Sequence, residues 1–329
     1  MLELVLLIVL TAVTSYTLSE AVCSLEMKLN FTAVDIHKPG RRLVARSGGV
    51  ALMGSLILGV AYVGLIGGLN SLVVAYITSA IAAGLVGLID DFMHLSIKLK
   101  LTLFCLPALL PVVLQFYEPY PYVPGVGYLR LTILYPLAVI AVFDVMANAF
   151  NMSDTHNGIV VSVFLIFAVS LFLSMYLPGP EPLDGFEILL AISAASLAGY
   201  LPLNFYPARM LNGNSGSHLI GSLAAALIVT SRREFLAIML LLPQILNGYF
   251  ILFTTGFKSK EYIERPTKLV ADGVIHPNCS PRASITLVRL FVVEKGLRER
   301  ELIKKYLILQ VVNSTASLVL YLALCSIKI

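Results

Sequence analysis

Long apolar runs alternate with short polar breaks along this chain, and ten runs approach the roughly 20 residues needed to cross a hydrocarbon core of about 30 Å. They lie near residues 2–19, 48–67, 71–89, 100–117, 131–149, 158–177, 187–205, 217–231, 235–255 and 306–326. The breaks leave no room for a separate soluble domain. The pattern predicts one all-α, polytopic membrane domain spanning 1–329, with about ten transmembrane helices and a single long polar segment at 256–305. The first run lacks a basic leading region and an A-x-A cleavage site, so it reads as a retained helix rather than a signal peptide.

Composition agrees with this pattern: 58% of residues are hydrophobic and 13% charged, with a mean hydropathy of +0.89. These values exclude an ordinary soluble globular domain. The four cysteines, Cys23, Cys105, Cys279 and Cys325, show no paired spacing, which indicates neither a zinc site nor a disulfide framework.

Charge then orients the chain. With the N-terminus outside, inward loops carry 19 of the 23 Lys and Arg residues, 11 of them between Lys258 and Lys305. Because basic loops stay cytoplasmic, both termini are expected outside. The stretches "VDIHKPGRRLVARSGG", "IDDFMHLSIKLK", "NAFNMSDTHNG" and "YPARMLNGNSGSH" are then expected in the cytoplasm with the long polar segment. Carboxylates and amides at the edge of a membrane are costly unless they do something there, so this clustering predicts a cytoplasmic active-site cleft.

Within the cleft, Asp90 and Asp91 end the third run, where acids oppose the helix dipole. Adjacent carboxylates suit a divalent cation or proton removal from a bound nucleophile; charges simply facing water are the plain alternative. Asn148, Asn151 and Asp154 recur every third residue, so a continued helix aligns them on one face. Their oxygens match Mg²⁺, while helix capping accounts for Asn157. His94, His156 and His218 read first as ordinary interfacial histidines. "NGNSGS" opens an apolar run, so its amides form either a phosphate cradle or a flexible turn. The basic residues of 256–305 suit anionic lipid headgroups or a pyrophosphate.

Together these stretches resemble the polyprenyl-phosphate N-acetylhexosamine-1-phosphate transferase family. "GLIDDF" with Lys98 and Lys100 resembles its Asp-Asp motif, "NAFNMSDTHNG" its N-A-x-N-x-x-D-G-x-[DN]-G motif, and "YPARMLNGNSGS" its P-A-K-x-F-x-G-D-x-G-S motif. The C-terminal stretch is similar to the archaeal and eukaryotic dolichyl-phosphate GlcNAc-1-phosphate transferase branch. The histidine-rich motif of the bacterial peptidoglycan enzymes is absent, as is the eukaryotic H-R-x-P-R signature. Asn214 stands where the family has a Mg²⁺-binding Asp, and Thr155 and His156 replace a Gly and an apolar residue.

The resemblance implies transfer of a sugar-1-phosphate, from UDP-GlcNAc or a similar UDP-sugar, to a polyprenyl or dolichyl phosphate with release of UMP. It implies Mg²⁺, with Mn²⁺ as a substitute, and a membrane-lipid environment; no nucleic-acid partner is implied, and a homodimer is allowed. By motif position Asp90 orients or deprotonates the acceptor phosphate, Asp91 supports it and Lys100 holds phosphate oxygens. Asn151, Asp154 and Asn214 are the candidate metal ligands. Leu211 and Gly213 border the uridine, Arg265 and Arg282 contact the pyrophosphate, and Lys38, Asn148, Asn157 and Arg209 complete the candidate substrate contacts. A transporter is the competing class, although no inverted repeat is visible. A catalytically impaired binding protein is another, because of Asn214.

Overall fold

A computed structural model describes residues 2–38, 40, 42–93, 95–256, 263–270 and 272–327. Arg41, His94, Lys258, Lys260 and Lys328 lie outside these residues, as does the Lys98 side chain. The chain is mostly helical: α1 (Leu2–Lys28), α2 (Gly48–Ile66), α3 (Ser71–Met93), α4 (Ile97–Val113), α5 (Tyr135–Ser153), α6 (Ile159–Ser174), α7 (Phe186–Asn204), α8 (Gly213–Thr230), α9 (Glu234–Leu240), α10 (Leu242–Thr255), α11 (Leu287–Val292) and α12 (Glu299–Ser326).

Nine of the ten expected apolar runs overlap one helix each and the run at 235–255 overlaps the pair α9–α10, but the count of spans needs qualification. Six helices, α1, α2, α3, α5, α7 and α12, are long and apolar enough to cross a membrane, and the bent pair α9–α10 makes a seventh. α6 and the apolar part of α4 are shorter. α8 is not among the candidates because it is rich in Gly, Ser and Ala rather than large apolar residues. The expected ten spans are therefore not established by length and hydropathy.

Short strands also depart from a purely α fold. β1 (Thr32–Val34) pairs with β2 (Leu43–Ala45), and β3 (Tyr122–Val123) with β4 (Gly127–Tyr128), both antiparallel. In the long polar segment, β5 (Thr267–Leu269), β6 (Val274–Pro277) and β7 (Leu297–Arg298) form an antiparallel sheet in that order. The polar breaks pair with one another because backbone groups outside the helices need partners.

Packing follows membrane rather than aqueous rules. On α1 the buried stripe is Leu7, Thr11, Ser15, Ser19, Cys23 and Glu26, while Val5, Val9 and Val13 are exposed. Small side chains permit close helix contact, and Ser15 Oγ donates to the Ser196 carbonyl of α7 at 2.5 Å. At the α9–α10 bend of 66°, the Leu240 carbonyl accepts from Gln310 Nε2 at 2.9 Å and Asn313 Nδ2 at 3.0 Å, both on α12. The break is thus supplied with donors from a neighbouring helix.

α8 forms the centre, with every residue from Ser215 to Thr230 buried. It packs against α3 and α5, and its N-terminal end meets that of α2. A Cβ at Gly87 would stand 2.5 Å from the Asn214 carbonyl oxygen, and one at Gly49 would stand 2.4 Å from the Gly216 nitrogen. The segment before α8 runs beside β2: Ala45 N–H donates to the Arg209 carbonyl at 3.1 Å and Leu211 N–H to the Ala45 carbonyl at 2.9 Å. These contacts draw the C-terminal ends of α3, α5 and α7 and the N-terminal ends of α2, α4, α6 and α8 to one end of the bundle.

A Cβ at Gly49 would meet the Gly216 nitrogen and Ser215 Oγ, both at 2.4 Å; the hydroxyl can turn away in Gly49→Ala, but the backbone nitrogen cannot. Gly49→Ala is expected to cost about 1–3 kcal/mol, read as a lowered thermal unfolding midpoint in detergent.

Candidate active site

Asp90 and Asp91 lie in the last turn of α3, and the opposing helix dipole is met by the opposite end of α8. Asp91 Oδ1 accepts the Asn214 backbone N–H at 3.1 Å and Oδ2 that of Ser215 at 3.2 Å. The carboxylate occupies two of the donors left open at a helix N-terminus. The phosphate-cradle reading of "NGNSGS" is corrected accordingly, since two of its amides already serve Asp91. Gly213 permits the approach: its φ is +68°, and a Cβ there would stand 3.0 Å from Asp91 Oδ2.

Asp90 is 1% exposed. Its Oδ2 lies 2.5 Å from Lys100 Nζ and accepts from Asn214 Nδ2 at 2.8 Å, while Oδ1 accepts the Leu95 N–H at 2.9 Å. Lys100 is presented by the first turn of α4, where the Ser96 side chain accepts the Leu99 N–H. Asn214 therefore links both acids, through its side chain to Asp90 and its backbone to Asp91. The Asn214 amide nitrogen faces Asp90 as a donor, and the same residue lines the cavity beside it. Phe92 and Leu99, at 60% and 45% exposure, place this corner beside an apolar surface.

Behind it opens a cavity of about 590 Å³ whose lining includes Asp35, His37, Arg46, Asp91, Asn151, Asp154, His156, Asn157, Leu211, Asn212, Gly213, Asn214 and Arg265. Asn151 Oδ1 accepts the Ser217 hydroxyl at 2.9 Å. Asp154 Oδ1 accepts Asn212 Nδ2 at 2.9 Å. Burial pushes the Asp154 carboxyl up to about 7 against the lowering effect of the Asn212 hydrogen bond, and the Asp91 charge adds to the rise. The expected single face of Asn148, Asn151 and Asp154 is only partly formed. α5 ends at Ser153, and Asn148 turns back to its own helix, donating to the Asp144 carbonyl at 2.8 Å and Oδ1 at 3.0 Å.

The donors facing the cavity are carboxylate and amide oxygens, and Asn212 Oδ1 is buried without a hydrogen-bond partner among the described residues. This chemistry fits a hard cation such as Mg²⁺. Among the described residues no group of three or more His, Cys, Asp or Glu could hold a metal ion, so amides and substrate oxygens would complete such a shell.

The outer wall joins distant segments. Asp35 accepts from Lys38 and from Asn157 Nδ2, the latter at 3.0 Å, and Lys38 Nζ lies 3.6 Å from Glu299 of α12. Burial works to raise the Asp35 carboxyl, but the Lys38 and Asn157 contacts outweigh it and hold it low. Asn157 thus serves Asp35 rather than capping α6, whose N-cap is Gly158 with φ +77°. His37 stacks on His156 with centroids 4.1 Å apart. Burial lowers His37 to about 4, with Arg265 and Lys38 adding to the effect against the raising charge of Asp35. Burial also holds His156 well below its ordinary value, aided by His37 and Lys38. Neither His156 ring nitrogen has a hydrogen-bond partner among the described residues.

Of the candidate substrate contacts, Lys38, Asn148, Arg209 and Arg282 are not among the residues that line this cavity; Lys38 stands in its outer wall and Asn148 turns back to α5. Arg209 is paired with Glu20 of α1 at 2.5 and 2.8 Å, and Arg282 lies exposed in the loop after β6, where its N–H donates to Ser280 Oγ at 3.2 Å. Arg46, Asp35 and Asn212 were not singled out by motif. Arg46 Nη2 donates to the Asp91 carbonyl at 3.4 Å. The i,i+3 spacing of Asp35 and Lys38 and the first Asn of "NGN" were the available signals.

The motifs that build this site lie together in one matched region. Residues 72–232 match glycosyl transferase family 4. Relatives extend the likeness over most of the chain. A putative glycosyltransferase of Methanocaldococcus jannaschii is 26% identical over 88% of both chains. A Sulfolobus acidocaldarius protein named putative UDP-N-acetylglucosamine–dolichyl-phosphate N-acetylglucosaminephosphotransferase is 27% identical over 79% of this chain and 80% of its own. A phospho-N-acetylmuramoyl-pentapeptide-transferase of Clostridioides difficile is 28% identical over 61% and 66%. The family resemblance carried by the motifs is therefore borne out. The apolar helices and this membrane-enzyme kinship together describe a multi-pass membrane protein related to sugar-phosphate transferases.

The histidine pair sets an acid limit. His37 has a lower pKa folded than unfolded, so the unfolded chain binds more protons between about pH 6.5 and 4, and stability is lost as pH falls through that window. For His37 alone the loss is on the order of 2 kcal/mol after allowing for partial exposure. The unfolding midpoint of His37→Gln/His156→Leu is expected to fall less between pH 7 and 4.5 than that of the unaltered protein.

Proposed function

We propose that this protein transfers a sugar-1-phosphate, with GlcNAc-1-phosphate the preferred case, from a UDP-sugar to a polyprenyl or dolichyl phosphate at a cytoplasmic membrane face, releasing UMP. One observation carries the reading: Asn214 links the Asp90–Lys100 pair, beside an exposed apolar surface, to Asp91 in a cavity of oxygen donors. A lipid-borne phosphate and a soluble nucleotide need those two environments side by side. The names of the archaeal relatives supply the substrate classes.

An oxygen of the acceptor phosphate forms a bond to the phosphorus that carries the sugar. The bond from that phosphorus to the bridging oxygen breaks, and its electron pair leaves with UMP. Lys100 neutralises the acceptor phosphate, and Asp90 holds Lys100 in place and takes a proton from a monoprotonated acceptor. Asp91 fixes the N-terminus of α8, while Arg265 and the histidine pair line the donor side. Asp154 and neighbouring amide oxygens would hold a Mg²⁺ ion, which would supply charge neutralisation to the pyrophosphate. The cytoplasmic orientation is supported by the basic loops.

Purified protein given radiolabelled UDP-GlcNAc and a short polyprenyl phosphate is expected to yield labelled lipid and UMP in equal amounts. Failure with every UDP-sugar and polyprenyl phosphate tried would exclude the transferase reading, and uptake into vesicles without UMP would favour a transporter. Asp90→Asn is expected to lower turnover by about 100-fold or more in a protein that still folds with a lowered unfolding midpoint, because the amide forms no ion pair with Lys100 and accepts no proton.

A further inference from the structure

Between the apolar corner at Phe92 and the oxygen-lined cavity stands a cation with no acid partner. Arg46 follows β2, precedes α2, lines the cavity and is half-buried. Its backbone is fixed by the Glu26 carboxylate of α1, 7% exposed, which accepts the Arg46 N–H at 2.8 Å and the Ser47 N–H at 3.2 Å. Its guanidinium carbon stands 4.9 Å from the centroid of the Phe31 ring, which stacks on the exposed Phe92 at 5.8 Å. Its carbonyl meets the cavity floor, since a Cβ at Gly213 would stand 2.8 Å from that oxygen.

These contacts orient the guanidinium without neutralising it. Among the described residues the ion pairs are Asp35–Lys38, Lys38–Glu299, Asp90–Lys100 and Glu20–Arg209, and Arg46 is in none of them. A guanidinium is always charged and carries five N–H donors in a planar fork that suits phosphate oxygens. Among the described residues one of those donors is met, by the Asp91 carbonyl at 3.4 Å. Arg265, the other Arg or Lys of the cavity lining, acts on His37 in the outer wall, whereas Arg46 adjoins Asp91 and so lies towards the Asp90–Lys100 corner.

We propose that Arg46 contacts the phosphoryl group in transfer, the second phosphate of a nucleoside diphosphate, at the seam between the acceptor corner and the donor cavity. The inference rests on the transferase reading and names the residue that meets the reacting phosphorus. The acceptor oxygen arrives from the Lys100 side and the phosphorus from the cavity side, so the group passes beside Asp91, where Arg46 offers its fork. As the bond to the bridging oxygen breaks, the phosphoryl oxygens find a cation already in place. Glu26 and Phe31 hold that cation beforehand, which lowers the ordering cost of the contact.

The test compares UDP with UMP, because UDP alone carries a phosphate at the transferred position. In calorimetric titrations of the purified, detergent-solubilised protein with Mg²⁺ present, the unaltered protein is expected to bind UDP more tightly than UMP. Arg46→Gln keeps the stem on Phe31 and an N–H donor but loses the charge. It is expected to bind UDP about tenfold or more weakly and UMP within about threefold of the unaltered protein. Arg46→Lys keeps the charge without the fork, so its UDP affinity is expected to fall between the two. In the transfer assay Arg46→Gln is expected to lower kcat by about 100-fold, a larger factor than any rise in the donor KM.

Equal losses of UDP and UMP in Arg46→Gln, or equal losses in Arg46→Gln and Arg46→Lys, mark a structural support and overturn the proposal. An unaltered protein with no preference for UDP overturns it as well. Unfolding midpoints report the fold of each variant; if Arg46→Gln does not fold, modification of Arg46 by butanedione in the unaltered protein decides. UDP is expected to slow that modification more than UMP does, and equal rates with the two nucleotides overturn the proposal. If the protein transfers sugar phosphate but Arg46→Gln keeps its kcat and its UDP preference, the assignment fails while the transferase reading stands. If the UDP preference depends on Arg46 but nothing is transferred, the reverse holds.

Discussion

The bond between the Asp91 carboxylate and the first amides of α8 ties the site to the fold. A helix C-terminus is a poor place for two acids and a buried helix N-terminus is a poor place for unmet donors; each unfavourable end is relieved by the other. Because α8 is enclosed by α3 and α5, fixing its N-terminus also fixes the turn from Leu211 to Gly213 that forms the cavity floor. Asn214 then hands the same constraint on to Asp90 and Lys100. The reacting corner and the cavity are therefore positioned by one hydrogen-bonded chain rather than by independent loops.

The opposite wall is built by segments far apart in sequence. Asp35 and Lys38 come from the connection between α1 and α2, Asn157 from the turn between α5 and α6, and Glu299 from the start of α12. Their ion pairs and hydrogen bonds close the cavity on the side where His37 and His156 stack. Burial keeps those imidazoles neutral, so the wall presents hydrogen-bonding edges without adding charge near Lys38 and Arg265.

Apolar runs were legible because hydropathy acts locally: each helix declares itself without reference to its neighbours. Asp90, Asp91 and Asp154 were legible for a related reason, since acids at the edge of such runs have few ordinary uses. The direction of each asparagine was not legible. Asn148 and Asn212 occupy similar polar breaks, and only the exact end of α5 and the partner Asp154 decide which one enters the cavity. Arg209 was misleading because its partner, Glu20, lies on another helix far away in sequence. The α9–α10 break was hidden within an apolar run in which Pro243 gave the only warning, and the helix that receives its free carbonyl, α12, comes much later in the chain.

The composition of α8 bears on how the protein is made. A segment rich in Gly, Ser and Ala, with a histidine and an asparagine in its first turns, partitions weakly from the translocation channel into lipid by itself. Its favourable contacts are with protein on every side, and its small residues are those that let helices approach closely. Packing against α3 and α5, which precede it in synthesis, is therefore what gives α8 a place in the fold. The helix that organises the chemistry is thus one that owes its position to its neighbours.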